Sequence, residues 1–109
     1  MIKKLLVVKE IPTTTPGMFV VVKCYYSTGG MNYATYKNEP RGYYFSITPL
    51  EYKDGFIITT AFSGIKAFIQ EAKRFSEKTL KESAIAVESH PQYQEILEKV
   101  LAKSQLELA

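Results

Sequence analysis

Cysteine and histidine occur once each in these 109 residues, and no apolar run approaches the length of a bilayer. The single cysteine, Cys24, rules out an internal disulfide. It lies in VVVKCYY, a strongly β-forming run in which a small buried hydrophobe is the expected role. A reactive thiol needs a neighbouring base, and His90 belongs to a different kind of segment. His90 has no second histidine, no cysteine beside it and no acidic pair at ligand spacing. Its expected place is at or beside a helix N-cap, and neither enzymatic activity nor a metal or cofactor is expected. The runs Leu5 to Val8 and Met18 to Val22 fall far short of the ~20 residues a membrane helix needs. The opening MIKKLLVVKEIP has lysines before an apolar run, but Lys9 and Glu10 end that run and no small-residue cleavage site follows. It reads as a β-strand rather than a secretory signal, and the chain as a cytoplasmic protein with no membrane partner.

Apolar residues at 46% and charged residues at 23% are those of a folded globular chain, and the length fits a single domain spanning 1–109. The net charge of +3 is unevenly placed. Residues 1–62 hold seven Lys/Arg against four Asp/Glu, whereas residues 63–109 hold seven of each. This balance permits nucleic-acid binding without requiring it.

The first 62 residues read as strands. KKLLVVKE is followed by the proline-containing loop IPTTTPG, and MFVVVKCYYS is a strand apolar on both faces except at Lys23. Such a strand is central with cover on each side, or gives one face to a partner. TGG is a turn, MNYATYK a shorter strand, and NEPRG another turn. YYFSITPLEY and FIITTAF flank KDG, where Asp54-Gly55 is the strongest hairpin signal in the chain. Pro49 has no N–H for the ladder and belongs at an edge or a bulge.

From Ser63 the period changes. Ile65, Phe68, Ile69, Ala72, Phe75 and Leu80 have the spacing of one helical face. A second helix is expected from Pro91, with Ser89 and Gln92 at capping-box spacing and a stripe of Tyr93, Ile96, Leu97, Val100 and Leu101. Strands followed by helices predict an α+β fold, an antiparallel sheet of four to five strands with two C-terminal helices on one face.

Two places attract a functional reading. If a helix starts at Ser63, then Ser63, Gly64 and Lys66 make a candidate anion site at its N-terminus, beside the plainer role of a cap and a bend. The other is tyrosine: seven of the eight lie between Tyr25 and Tyr52. Alternation splits the pairs Tyr25-Tyr26 and Tyr43-Tyr44 between the faces of the sheet. Tyr43 shares its face with Phe45 and Ile47, so Tyr43 is expected inside and Tyr44 outside. Tyr26, Tyr36, Lys37, Arg41 and Tyr44 form the candidate binding surface. It suits ordinary sheet surface, a protein interface in a homo-oligomer or with a second protein, or single-stranded nucleic acid stacked on the rings.

PRGYYFSITPLE and DGFIITTAFSGIKAFIQEAKRFSEK resemble small proteins of no assigned activity encoded on conjugative and other mobile elements of Gram-positive bacteria. Those proteins carry a similar RGYY-x-S-x-x-P stretch, then AFSG-x-K leading into a charged helix. The matching residues here are Arg41 to Tyr44, Ser46, Pro49 and Ala61 to Lys66, about the central half of the chain. The resemblance implies a DNA-transfer or host-interaction setting and no particular chemistry.

Overall fold

The structure is a computed structural model that describes residues 2–14, 16–33, 36–53, 56–59 and 64–108. Its centre is a pair of long strands, β2 (Met18–Ser27) and β5 (Gly42–Lys53), antiparallel from Met18 opposite Glu51 to Ser27 opposite Gly42. β1 (Ile2–Pro12) pairs the free side of β2, and it does so antiparallel. β3 (Gly30–Asn32) and β4 (Lys37–Glu39) form a separate small hairpin between β2 and β5. The other edge of β5 is shared by β6 (Phe56–Thr59) and β7 (Ile65–Glu71), which makes a five-stranded antiparallel sheet. Helices α1 (Glu77–Ala86) and α2 (Tyr93–Leu108) follow, joined by a short 3-10 turn at Val87–Ser89.

The expected α+β class and the sheet-then-helices order hold. β2 is central, one of the two places that its largely apolar run allowed, and each of its residues is buried or half-buried. Pro49 stands opposite Val20 in β2, and on its other side Ile47 pairs with Ile65 and Leu50 with Thr59, residues 60–63 lying outside the described residues. The Asp54-Gly55 turn lies outside the described residues, but the pairing of Lys53 with Phe56 brackets it.

Three expectations are corrected. MNYATYK is a hairpin rather than one strand, closed by the Tyr36 N–H donating to the Asn32 carbonyl at 2.7 Å. IPTTTPG begins inside β1, which runs on to Pro12. The largest correction concerns Ile65 to Phe75. Ile65–Glu71 is strand β7, and α1 starts only at Glu77, where Ser76 accepts from the Thr79 N–H. The helix-like spacing has a local cause. A bulge between the Tyr43–Gln70 and Tyr44–Phe68 pairs breaks the alternation. Ala67 and Ile69 then pack toward the helices while Phe68 meets Tyr44 on the other face, so both faces recruit apolar residues. Phe75 packs against Tyr26 at 5.7 Å but stays partly exposed.

The core lies between sheet and helices. Val20, Val22, Phe45, Ile47 and Ala67 meet Val87, Tyr93, Ile96, Leu97 and Val100, with Leu101 packed alongside. Burying each of the larger side chains contributes about 1.5–3 kcal/mol. A second cluster puts Leu80 of α1 on Cys24, Tyr26 and Tyr43.

The helices are also tied to the sheet by polar bonds. The Tyr43 hydroxyl donates to the Ser76 carbonyl at 3.1 Å and accepts from the Ser76 N–H at 2.9 Å. Tyr26 donates to the Ala72 carbonyl at 3.3 Å. His90 caps α2, and the expected Ser89–Gln92 box gives way to it. Its Nδ1 accepts from the Gln92 N–H at 3.1 Å, while Nε2 meets the Phe68 carbonyl at 2.8 Å, at the β7 bulge. A neutral ring protonated on Nε2 satisfies both contacts.

Candidate functional site

Register decides what each tyrosine does. Tyr25 stands opposite Tyr44, and Tyr26 opposite Tyr43. Alternation then sends Tyr26 and Tyr43 beneath α1, and Tyr25 and Tyr44 to the outer face; Tyr43 and Tyr44 fall as expected, whereas Tyr26, expected on the binding surface, lies inside. Outward does not mean exposed, however. Tyr44 is only 4% exposed and Tyr25 8%.

The outer pair is covered by its own neighbours. The two rings stack at 5.6 Å with planes 14° apart, and Phe68 meets Tyr44 edge-on at 5.2 Å. The Tyr44 hydroxyl donates to the Pro40 carbonyl. The β3–β4 hairpin is latched to this end of the sheet by Lys66 of β7, whose Nζ lies 2.6 Å from a Glu39 carboxylate oxygen and 5.7 Å from the Tyr44 ring centre. The Asn32 side-chain amide donates to the same carboxylate. Hydrogen bonds from Lys66 and then Asn32 hold the Glu39 carboxyl below the ordinary carboxylate range. Burial, and then the Glu39 charge, push the Tyr25 phenol up to about 12, and the same causes raise Tyr44. Gly29 permits the latch. Its φ of +75° is left-handed, and a Cβ there would sit 2.7 Å from the Glu39 carbonyl oxygen.

The candidate surface therefore divides. Tyr26 is buried under α1, Tyr44 is buried under the hairpin, and Tyr36 and Lys37 stand exposed on the hairpin itself. Tyr36 is 82% exposed with a φ of +56°, a left-handed conformation uncommon for a tyrosine. Arg41 is exposed, but its guanidinium donates to the Thr28 carbonyl at 3.1 Å and the Lys73 carbonyl at 3.2 Å, bracing two loops. The anion site falls too. Gly64 and Lys66 stand at the start of a strand, so no helix N-terminus is present there, and Lys66 is engaged by Glu39. Ser63 lies outside the described residues.

A different surface takes their place. Both helices pack on one side of the sheet; on the other, Val21, Tyr25 and Tyr44 are buried while Leu5 and Val7 of β1 are exposed. There Leu5, Lys23, Tyr25, Ser46, Thr48, Gly64, Ile65 and Lys66 enclose a groove of about 400 Å³. Across Tyr25 and Lys66, a second hollow of about 260 Å³ runs under the hairpin past Met31 and Asn32. Leu5 at 41% and Val7 at 58% exposure border this face on β1, and Met31 at 46% borders it on β3. Nothing in the aromatic composition pointed to Leu5 or Val7. The signal was in MIKKLLVVKE, where alternation turns Leu5 and Val7 away from Leu6.

Cys24 and His90 are accounted for by the fold. Cys24 is fully buried and its thiol points at the Leu80 carbonyl, 3.9 Å away, with burial pushing its pKa up to about 11. Among the described residues, no group of three or more His, Cys, Asp or Glu is placed to hold a metal ion. No described helix is long and apolar enough to cross a membrane. Comparison with protein-family models, curated proteins and solved structures finds no match to this chain. The functional reading rests on the surface itself.

Proposed function

We propose that this chain is a non-enzymatic, cytoplasmic interaction module that binds protein through the outer face of its sheet. The observation that carries this reading is the groove on the outer side of the sheet, together with the exposed Leu5, Val7 and Met31 near it. Apolar Leu5, Tyr25 and Ile65 stand there among polar Lys23, Ser46, Thr48 and Lys66, a mixed lining that suits a protein-binding patch. The mobile-element resemblance gives the setting: an accessory protein that meets other proteins of the element or its host.

A photoreactive amino acid placed at Val7 or Lys23 in the producing cell tests it. Covalent protein adducts are expected from those positions and not from Glu82 or Glu98, which are exposed on α1 and α2. Equal labelling from all four positions, or none, overturns the reading.

A second reading, single-stranded nucleic-acid binding, is favoured by one observation. Tyr33 and Tyr36, 79% and 82% exposed, stand on the β3–β4 hairpin next to Lys37. Two free rings beside a cation are a minimal stacking platform. Anisotropy of labelled oligo-dT across a salt series, repeated with Tyr36→Ala, decides it. Absence of binding at low salt ends this reading.

A further inference from the structure

β1 has β2 on one side only, so among the described residues its other edge carries no partner strand. Long edge strands are ordinarily guarded by lysines aimed outward. Here two of the three lysines of β1 are drawn away. Lys4 pairs with Glu77 of α1 at 2.8 Å, and Lys9 pairs with Glu88 of the 3-10 turn at 2.9 Å. Between them Leu5, Leu6, Val7 and Val8 carry no charge. Leu5 and Val7 project on the outer side, and Ile85 of α1, 82% exposed, flanks the same edge from the helix side. A hollow of about 360 Å³ joins Ile85 to Leu6, Val7, Val8, Ala84 and Glu88. Three of the seven exposed large hydrophobic side chains among the described residues thus gather at one free edge.

We propose that this edge binds a second copy of the chain, antiparallel and centred on Leu6, joining two sheets into one. The proposal rests on the interaction-module reading and names its partner. Facing side chains in a ladder must point to the same side, so only registers in which paired numbers sum to an even value keep apolar against apolar. Centring on Leu6 sets Leu5 against the partner's Val7, and Val7 against the partner's Leu5. Four outward apolar side chains then make one patch. On the helix side the Leu6 side chains meet beneath the paired Ile85 side chains. A two-fold contact demands such self-complementarity, and this segment supplies it. Charge bears on the ends of this register: Lys9 comes opposite the partner's Lys3, and the pairing of Lys9 with Glu88 within each copy offsets that contact. The bulge between Val7 and Lys9 limits the matched segment to a few residues, which fits a reversible dimer rather than an obligate one.

Sedimentation velocity of the purified protein over a wide concentration range tests this. A monomer–dimer equilibrium is expected. Val7→Lys, at a site already exposed, places charge in the patch and is expected to weaken the dimer at least about tenfold with the fold retained. Register is read by mixing two single variants, Leu5→Cys and Val7→Cys, under mild oxidation. The mixture is expected to form disulfide-linked dimers faster than either variant alone, and the native Cys24 is buried. A monomer at every concentration, a dimer indifferent to Val7→Lys, or no advantage for the mixture each overturns the proposal. If the dimer fails while cellular adducts persist at Val7, the module reading stands with a different protein as partner. Loss of the adducts as well removes both.

Discussion

Replacing Tyr43 with phenylalanine removes one oxygen from a fully buried ring and leaves its packing on Tyr26 untouched, 5.2 Å away. That oxygen makes two bonds to Ser76, the residue that caps α1. The losses are unequal. The Ser76 carbonyl still accepts from the Leu80 N–H at 2.9 Å, whereas the Ser76 N–H loses its partner. An orphaned buried donor costs about 1–3 kcal/mol, and Ser76 is exposed enough for water to replace part of that bond. The expected loss is therefore about 1–2 kcal/mol. Near 100 residues each kcal/mol moves the melting point by roughly 4–8 °C. Urea denaturation followed by circular dichroism reads it as a lower midpoint with an unchanged slope. Tyr36→Phe is the control, because its ring is 82% exposed and should shift stability by less than about 0.5 kcal/mol. A Tyr43→Phe protein as stable as the parent, or a Tyr36→Phe protein equally weakened, would refute the anchoring of α1 through this hydroxyl.

His90→Ala should cost about 0.5–2 kcal/mol through loss of the α2 cap, with His90→Asn recovering part of it, as chemical denaturation would show. Cys24 should stay silent to a disulfide reagent in the native protein and react on unfolding, because burial raises its pKa to about 11; fast native labelling would contradict its placement. Glu39 has its folded pKa lowered by Lys66, so its contribution is complete above the ordinary carboxylate range and is lost as pH falls through the folded value. Glu39→Gln should remove that part of the acid sensitivity, read as melting temperature against pH.

The sheet-then-helix order was legible because β2 and α2 are locally consistent. VVVKCYY is built of strand formers, and Tyr93, Ile96, Leu97 and Val100 keep a helical stripe that the core uses. β7 was not legible. Its strand character comes from pairing with β5, and the bulge at Ile69 mimics helical spacing, so local pattern pointed one way and tertiary contact the other. The tyrosine split followed from alternation alone, but the burial of Tyr44 depends on a hairpin latched by Glu39 and Lys66, 27 residues apart in sequence. The exposed edge needed the structure for a related reason. Lys4 and Lys9 look like ordinary gatekeepers until Glu77 and Glu88 are seen to turn them inward.

The central claim is that contact with protein is made by the outer face and the β1 edge. Hydrogen–deuterium exchange at low and high protein concentration tests it most directly. The account predicts that amides between Lys4 and Val8 gain protection as concentration rises, that those of α2 do not change, and that Val7→Lys abolishes the gain. Exchange in β1 that is the same at every concentration, or protection that grows on α2 instead, would contradict it.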